Sequence, residues 1–301
     1  MLVAEQDTAT GAGRRAAAPA AAERWFHGGA RPRPGALRMV CFPHAGGTPT
    51  VYQGWTGALG DRVQVVPVLP PGRGLRTREE PYRDLAALAE ATATALLECR
   101  LADDYVLFGH SMGALAAYET ACRLRSLGAP GPRHLFVSGS RAPHQYGTRL
   151  HEPADDEGLR RLVGELGGLG PDEAMGRAYL ERRLPVLRAD LQACESYRWQ
   201  PRAPLDCPMT AFSAAGDPIA TEEQLDGWRE YTAASLLRRH LPGGHFYLNG
   251  PSAGALLACL RTELDRLTGP AAPLPAAARP PHPHNAKDMK DVKEASWTHR
   301  P

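Results

Sequence analysis

A chain of 301 residues, 43% hydrophobic and 23% charged, can bury a sizeable core without disulfide or metal staples. No run approaches the ~18 consecutive apolar residues of a membrane-spanning helix, and Glu5 and Asp7 fall where a secretory signal would need an apolar stretch. The net charge of +2 sits in the C-terminal tail, while residues 23–268 hold 28 basic and 28 acidic residues, which argues against nucleic acid or an anionic membrane as the main partner.

Residues 1–22 are rich in Ala, Gly and Arg without apolar period, the composition of a disordered tail. Leu37–Phe42 is a short apolar run ending in a Pro/Gly loop and reads as a buried strand. Val63–Val68 reads as a second, although Pro67 removes a ladder donor. Asp84–Arg100 carries Leu85, Leu88, Thr92, Leu96 and Leu97 at helical spacing behind an Asp N-cap. Tyr105–Phe108 is a third strand, followed by a tight turn and a helix to about Leu127, with Gly128 as its stop. His134–Ser138 and Pro208–Ala214 are further strands; Thr221–Tyr231 is a helix, Ser235–Leu241 the sixth strand and Pro251–Leu267 the closing helix. Strands alternating with helices predict an α/β fold: a mostly parallel sheet with helices on both faces.

Residues 150–203 break the alternation. Leu159, Leu162, Val163 and Leu166 form one helical stripe, and Leu180, Leu184, Leu187 and Leu191 another, separated by Gly167, Gly168, Gly170 and Pro171. Such a length is too great for a simple crossover and suggests a helical lid over the sheet's C-terminal edge. Residues 269–301 combine Pro-rich runs with charge and read as a second disordered tail; Pro flanks His282 and His284 and no other ligands converge on them, so they are not read as a metal site. Six cysteines, at 41, 99, 122, 194, 207 and 259, are scattered without a CxxC pair, which suits free thiols in a reducing cytoplasm.

Gly109-His110-Ser111-Met112-Gly113 fits G-x-S-x-G and falls between a strand and a helix, where that motif has meaning. A sharp turn there lifts a serine hydroxyl clear of the sheet at a helix N-terminus, and the flanking glycines let neighbouring chain approach. The hydroxyl needs a base, and chain order in this arrangement runs serine, acid, histidine. His245, in Pro-Gly-Gly-His-Phe after the last strand, is the base of choice over His110, which should point away from Ser111, over His240, which lies in the strand, and over His44. Asp217, after the fifth strand, is the acid; Asp226 falls inside the next helix and Asp206 at the wrong end of the sheet. Asp217 also suits a turn former or helix N-cap. Backbone N–H groups of Met112 and of the loop Pro43–Gly47 would hold an oxyanion, with Ala45 chosen over Gly46. Pro70-Pro71-Gly72-Arg73-Gly74 reads as a turn at the sheet edge in preference to an anion site. No G-x-x-x-x-G-K-[ST] phosphate loop is present.

Five segments together resemble a known family: Phe42–Gly47, Leu69–Gly74, Gly109–Gly113, Leu184–Asp190 and Pro242–Phe246. Over roughly residues 25–268 the chain is similar to the type II thioesterases of polyketide and nonribosomal peptide assembly lines. The resemblance implies an α/β-hydrolase fold with a mobile helical cap, and hydrolysis of acyl thioesters from the phosphopantetheine arm of acyl or peptidyl carrier proteins, as editing of stalled or misprimed units. By matching position it makes Ser111 the nucleophile, Asp217 the acid, His245 the base, and Ala45 and Met112 the oxyanion donors. It implies no metal or redox cofactor, a carrier protein met in trans, and a cytoplasmic enzyme. The two tails depart from the family pattern. A general carboxylesterase or lipase-like serine hydrolase, and a non-catalytic binding protein on the same scaffold, are the competing readings.

Overall fold

The computed structural model describes residues 22–28, 31–147, 155–168 and 173–269. The tails read at 1–22 and 269–301 fall, but for Ala22 and Gly269, outside the described residues. The described residues up to Thr268 make one compact unit.

Six strands form one parallel sheet: β1 (Leu37–Phe42), β2 (Val63–Pro67), β3 (Tyr105–His110), β4 (Leu135–Ser138), β5 (Met209–Gly216) and β6 (Leu236–Gly244), in spatial order β2-β1-β3-β4-β5-β6. Alternate residues of each strand serve opposite faces. Val40, Leu107 and Val137 point into one core layer, and Met39, Val106, Phe108 and Phe136 into the other. Burial on both faces is why these strands read as continuous apolar runs rather than as alternating ones.

The first layer is closed by helices α2 (Leu85–Glu98) and α3 (Met112–Ser126), and the second by α1 (Trp55–Leu59) and α8 (Ala253–Thr268). Asp84 caps α2, its side chain accepting from Ala87 N–H at 2.7 Å. Gly128, at φ 74°, ends α3: its N–H donates to Arg125 O and Ala129 N–H to Leu124 O, both at 3.0 Å, the pairing of a Schellman motif. Each fully buried leucine of such a face, Leu88 or Leu96 for example, stabilises the layer by about 1.5–3 kcal/mol.

Several boundaries differ from the sequence expectation. Strand β2 stops at Pro67, one residue short of Val68; it is an edge strand, where a missing donor costs least, and the Pro67 carbonyl still accepts from His27 N–H at 2.9 Å. The helix expected at Thr221–Tyr231 is α only in α7 (Glu222–Asp226), capped by Thr221, and continues as a 3-10 helix, Gly227–Tyr231. Three residues per turn put Trp228 and Tyr231 on the same side, and both are buried in the core. Strand β6 runs past Leu241 to Gly244, because a bulge between Ala214 and Gly216 lets Gly216 pair with Gly244.

Among its described residues the segment after β4 forms three α-helices: α4 (Asp156–Glu165), α5 (Glu173–Glu181) and α6 (Leu184–Ser196). The two expected stripes meet, with Leu159, Leu180, Leu184 and Leu187 clustering together against Val163, Leu191 and Ala45. Ala45 lies in the loop after β1, so this helical layer rests on the C-terminal edge of the sheet. All six cysteines are unpaired.

Candidate active site

Ser111 occupies the single-residue turn between β3 and α3. Its φ of 56° and ψ of −124° are a conformation that residues with a side chain rarely adopt. The surroundings enforce it. A Cβ on Gly109 would lie 2.1 Å from Gly113 O, and one on Gly113 would lie 2.2 Å from Phe42 O. Strand, helix and the end of β1 therefore meet at separations that only glycine permits. Ser111 N–H donates to Ser138 O at 2.8 Å, and Ala114 N–H to Ser111 O at 2.9 Å, which pins the turn from both sides. The start of α3 adds the partial positive charge of a helix N-terminus.

Asp217 follows β5 and His245 follows β6. Both side chains are almost wholly buried, and His245 Nδ1 lies 2.9 Å from Asp217 Oδ2. A carboxylate only accepts, so a ring proton sits on Nδ1; in the neutral ring the lone pair is then on Nε2. The other carboxylate oxygen, Oδ1, accepts from Ile219 N–H at 2.9 Å and Ala220 N–H at 3.3 Å. Asp217 is thus both turn former and histidine partner, one oxygen for each; the two readings of this residue are not alternatives.

Ser111, Met112, His245 and Ala45 line one cavity of about 110 Å³ beneath the helical layer, whose far wall is Leu162, Val163, Leu187 and Leu191. Gly46 N–H, the rival to Ala45, donates to Asp190 Oδ2 at 2.7 Å and is committed there. Gly47 N–H donates to His44 O at 2.8 Å. His44 also lines the cavity; its Nδ1 donates to Ala45 O at 2.9 Å, and burial pushes its pKa down to about 4, so it stays neutral.

The rival groups lie elsewhere. Asp226 is exposed and ion-paired with Arg238. His240, exposed on β6, makes a 2.9 Å contact from Nδ1 to Ser213 Oγ. His110 does not line the cavity, but it does not leave the site either. It is fully buried with its ring 5.0 Å from that of His245, and Nδ1 is 2.9 Å from Ser138 Oγ, which is 2.6 Å from Tyr247 OH. Burial holds its pKa well below the usual histidine range. His110 therefore acts as a neutral floor under His245. Sequence reasoning assigned it no part in the site, although its place inside the Gly-His-Ser run was a signal. Phe246 was missed in the same way: its ring packs 5.1 Å from His245 and 4.9 Å from His44.

Two segments noted only as patterns prove to be partners. Arg73, expected in an edge turn, is buried and grips Asp190 of α6 with two hydrogen bonds, Nη2 to Oδ1 at 2.7 Å and Nη1 to Oδ2 at 2.8 Å. Nη1 also donates to Gly47 O at 3.2 Å. The anion that Arg73 binds belongs to its own chain. Through Asp190 and Gly46 the pair ties helix α6 to the loop that carries Ala45.

The arrangement sets a strained serine and an imidazole oriented by a buried carboxylate at one cavity, which are parts of nucleophilic acyl transfer. A family model described as a thioesterase domain matches residues 38–263. The chain is 64% identical to RedJ, a thioesterase from the prodiginine biosynthetic pathway in Streptomyces coelicolor, over 75% of this chain and 90% of that one, and the folds superpose with a TM-score of 0.73. Thioesterase PikA5 of Streptomyces venezuelae is 37% identical over 218 residues, 71% of this chain and 76% of that protein. A protein of Brevibacillus parabrevis named linear gramicidin dehydrogenase LgrE is 38% identical over 231 residues, 75% of this chain and 87% of that protein.

Proposed function

The chain belongs to the thioesterase family, and from that premise we propose that it is a type II enzyme that hydrolyses acyl thioesters on the phosphopantetheine arms of acyl or peptidyl carrier proteins, in an editing role in polyketide or nonribosomal peptide biosynthesis. In this reading Ser111 Oγ attacks the thioester carbonyl while His245 Nε2 takes its proton. Asp217 holds the imidazole and stabilises its charged form. The N–H groups of Ala45 and Met112 receive the oxyanion. The C–S bond breaks, the proton passes from His245 to the leaving thiolate, and the acyl group remains on Ser111. Water then adds to that ester, giving a proton to His245; the C–O bond to Ser111 breaks, His245 returns the proton to Oγ, and the free acid leaves. Base and nucleophile both come from the chain, so the reaction as written draws on no metal or redox group.

The observation that carries the reading is the 2.9 Å hydrogen bond from Asp217 to a His245 that lines the same cavity as Ser111. The partner and pathway rest on the relatives, which include a thioesterase of the prodiginine biosynthetic pathway. A cytoplasmic setting is supported by six unpaired cysteines; among the described residues no helix is long and apolar enough to cross a membrane.

The test is a panel of acyl-carrier thioesters and matched oxygen esters, assayed with the wild type and Ser111→Ala. The carrier thioesters should be preferred, and the substitution should lower kcat by about three orders of magnitude or more. Oxygen esters turned over as fast or faster would replace the reading with that of a general esterase. Failure of a fluorophosphonate to label Ser111 would revive the non-catalytic scaffold.

A further inference from the structure

A second cavity, of about 490 Å³, has no part in the reaction as written. It shares a wall with the cavity of Ser111. In the loop after β1, Ala45 lines the first cavity and Thr48 the second; in the first turn of α6, Leu187 lines the first and Val186 the second. Three residues of chain span at most about 11 Å, so the two hollows lie side by side, divided by one loop and one helical turn. The Arg73–Asp190 pair, bonded to Gly46 and Gly47, belongs to that wall.

The second cavity is cationic. Arg73, Arg182 and Arg183 line it, and among the described residues no Asp or Glu does. Asp190 neutralises Arg73, which leaves Arg182 and Arg183 to set the field. The half-buried Arg183 guanidinium lies over the ring of Tyr179, 4.5 Å from the centroid, and its Nη1 donates to the Tyr179 hydroxyl. These contacts fix the planar fork but bring it no negative charge, and Nη2 makes no hydrogen bond. The hydroxyls of Thr48 and Thr50 are 2.7 Å apart, so only one of their two protons is used between them. Helix α6 starts here without a side-chain cap, and its positive end adds to the field. A hollow lined by one sign of charge concentrates counter-ions, and a fixed guanidinium beside hydroxyls suits a phosphate. The rim adds a second clue. Leu75 is 91% exposed and Tyr179 half exposed, and both line the cavity. Exposed apolar groups around a charged hollow fit an anion that arrives on a protein.

We propose that this cavity binds the phosphate of the phosphopantetheine arm while the carrier protein rests against Leu75 and Tyr179, with Arg183 as the main phosphate ligand and Arg182 beside it. The proposal rests on the thioester-hydrolysis reading above and gives the arm its anchor. It adds no chemical step: the phosphate is held as the anion, its ester bonds stay intact, and Ser111 attacks the thioester at the other end. An arm anchored there has one loop and one helical turn to pass before its thioester meets Ser111.

The experiment compares acetyl, hexanoyl and dodecanoyl thioesters of pantetheine with the same thioesters of phosphopantetheine, two series that differ only in the phosphate. The wild type should favour the phosphorylated series by about tenfold or more in kcat/KM, chiefly through KM, in line with a charge-assisted hydrogen bond. Added salt should shrink that preference. In Arg183→Met the ratio should fall towards one, and Arg182→Gln, at an exposed position where folding is not at stake, should lower it in part. Equal kcat/KM on both series with the unmodified protein would overturn the proposal, and this arm requires no variant to fold. So would an Arg183→Met enzyme that loses both series in proportion, which would place Arg183 in the packing of the lid. If the wild type hydrolyses the pantetheine thioesters without preferring the phosphate, this inference falls and the hydrolytic reading stands. If it hydrolyses neither series, both fall.

Discussion

Asp217 shows how much one side chain is asked to do. One oxygen shapes the turn after β5 through Ile219 and Ala220, and the other orients His245. Asp217→Asn should keep the turn, because an amide oxygen still accepts from those N–H groups, but its NH2 facing His245 would favour the wrong imidazole tautomer. The expected result is a fall in kcat of about 10³–10⁴ with little change in thermal unfolding, read by thioester assay and calorimetry on the same preparation. A parallel loss of stability would mean that the carboxylate is chiefly structural. Ser111 was legible in the sequence because its constraint is local: five residues and two glycines define the turn. The role of His110 was not, because its support of His245 depends on a ring 135 positions further along the chain coming within 5.0 Å.

At the scale of elements, the strands and the long helices could be read from hydrophobic period and caps, and the lid segment from the failure of that alternation. What joins the lid to the sheet could not be read. Arg73 and Asp190 lie 117 residues apart, and each alone looks like a turn residue or a helix-surface charge. In the fold they form a buried pair that also holds Gly46 N–H. Asp190→Ala leaves Arg73 buried without its counter-ion and should cost about 3–5 kcal/mol in urea unfolding. It should also lower kcat, since the loop that carries Ala45 loses its anchor. Replacing both partners together by apolar residues should cost less than Asp190→Ala alone, because no charge is then stranded. If the single substitution proves neutral in both measurements, α6 and the loop that carries Ala45 are not coupled through this pair.

At the scale of the molecule, the pattern of buried histidines sets a pH response. Burial pushes His44 and His134 each down to about 4, and holds His110 well below the usual histidine range. Unfolded histidines titrate near pH 6.5. Between that pH and about 4 the unfolded chain therefore takes up protons that the folded chain refuses, so stability falls as pH falls through this window and is unaffected by these groups above it. The midpoint of urea unfolding should drop between pH 7 and pH 5. His134→Gln should flatten that dependence, because its ring lies outside the active site, stacked on Phe136 and bonded to Thr210. A midpoint that does not move over this range would show that these rings are solvated in the folded state.

The sequence by itself determined the parallel sheet and the serine turn, and it named Asp217 and His245 as candidate acid and base, because hydrophobic period, glycine placement and chain order are written within short windows. Only the tertiary structure decided that Asp217 serves two masters and that Arg73 and Asp190 close on Gly46. The physical reason is distance along the chain. Ion pairs, ring contacts and burial are properties of groups brought together by folding, and no local pattern records which partner each will meet or whether it will meet one at all.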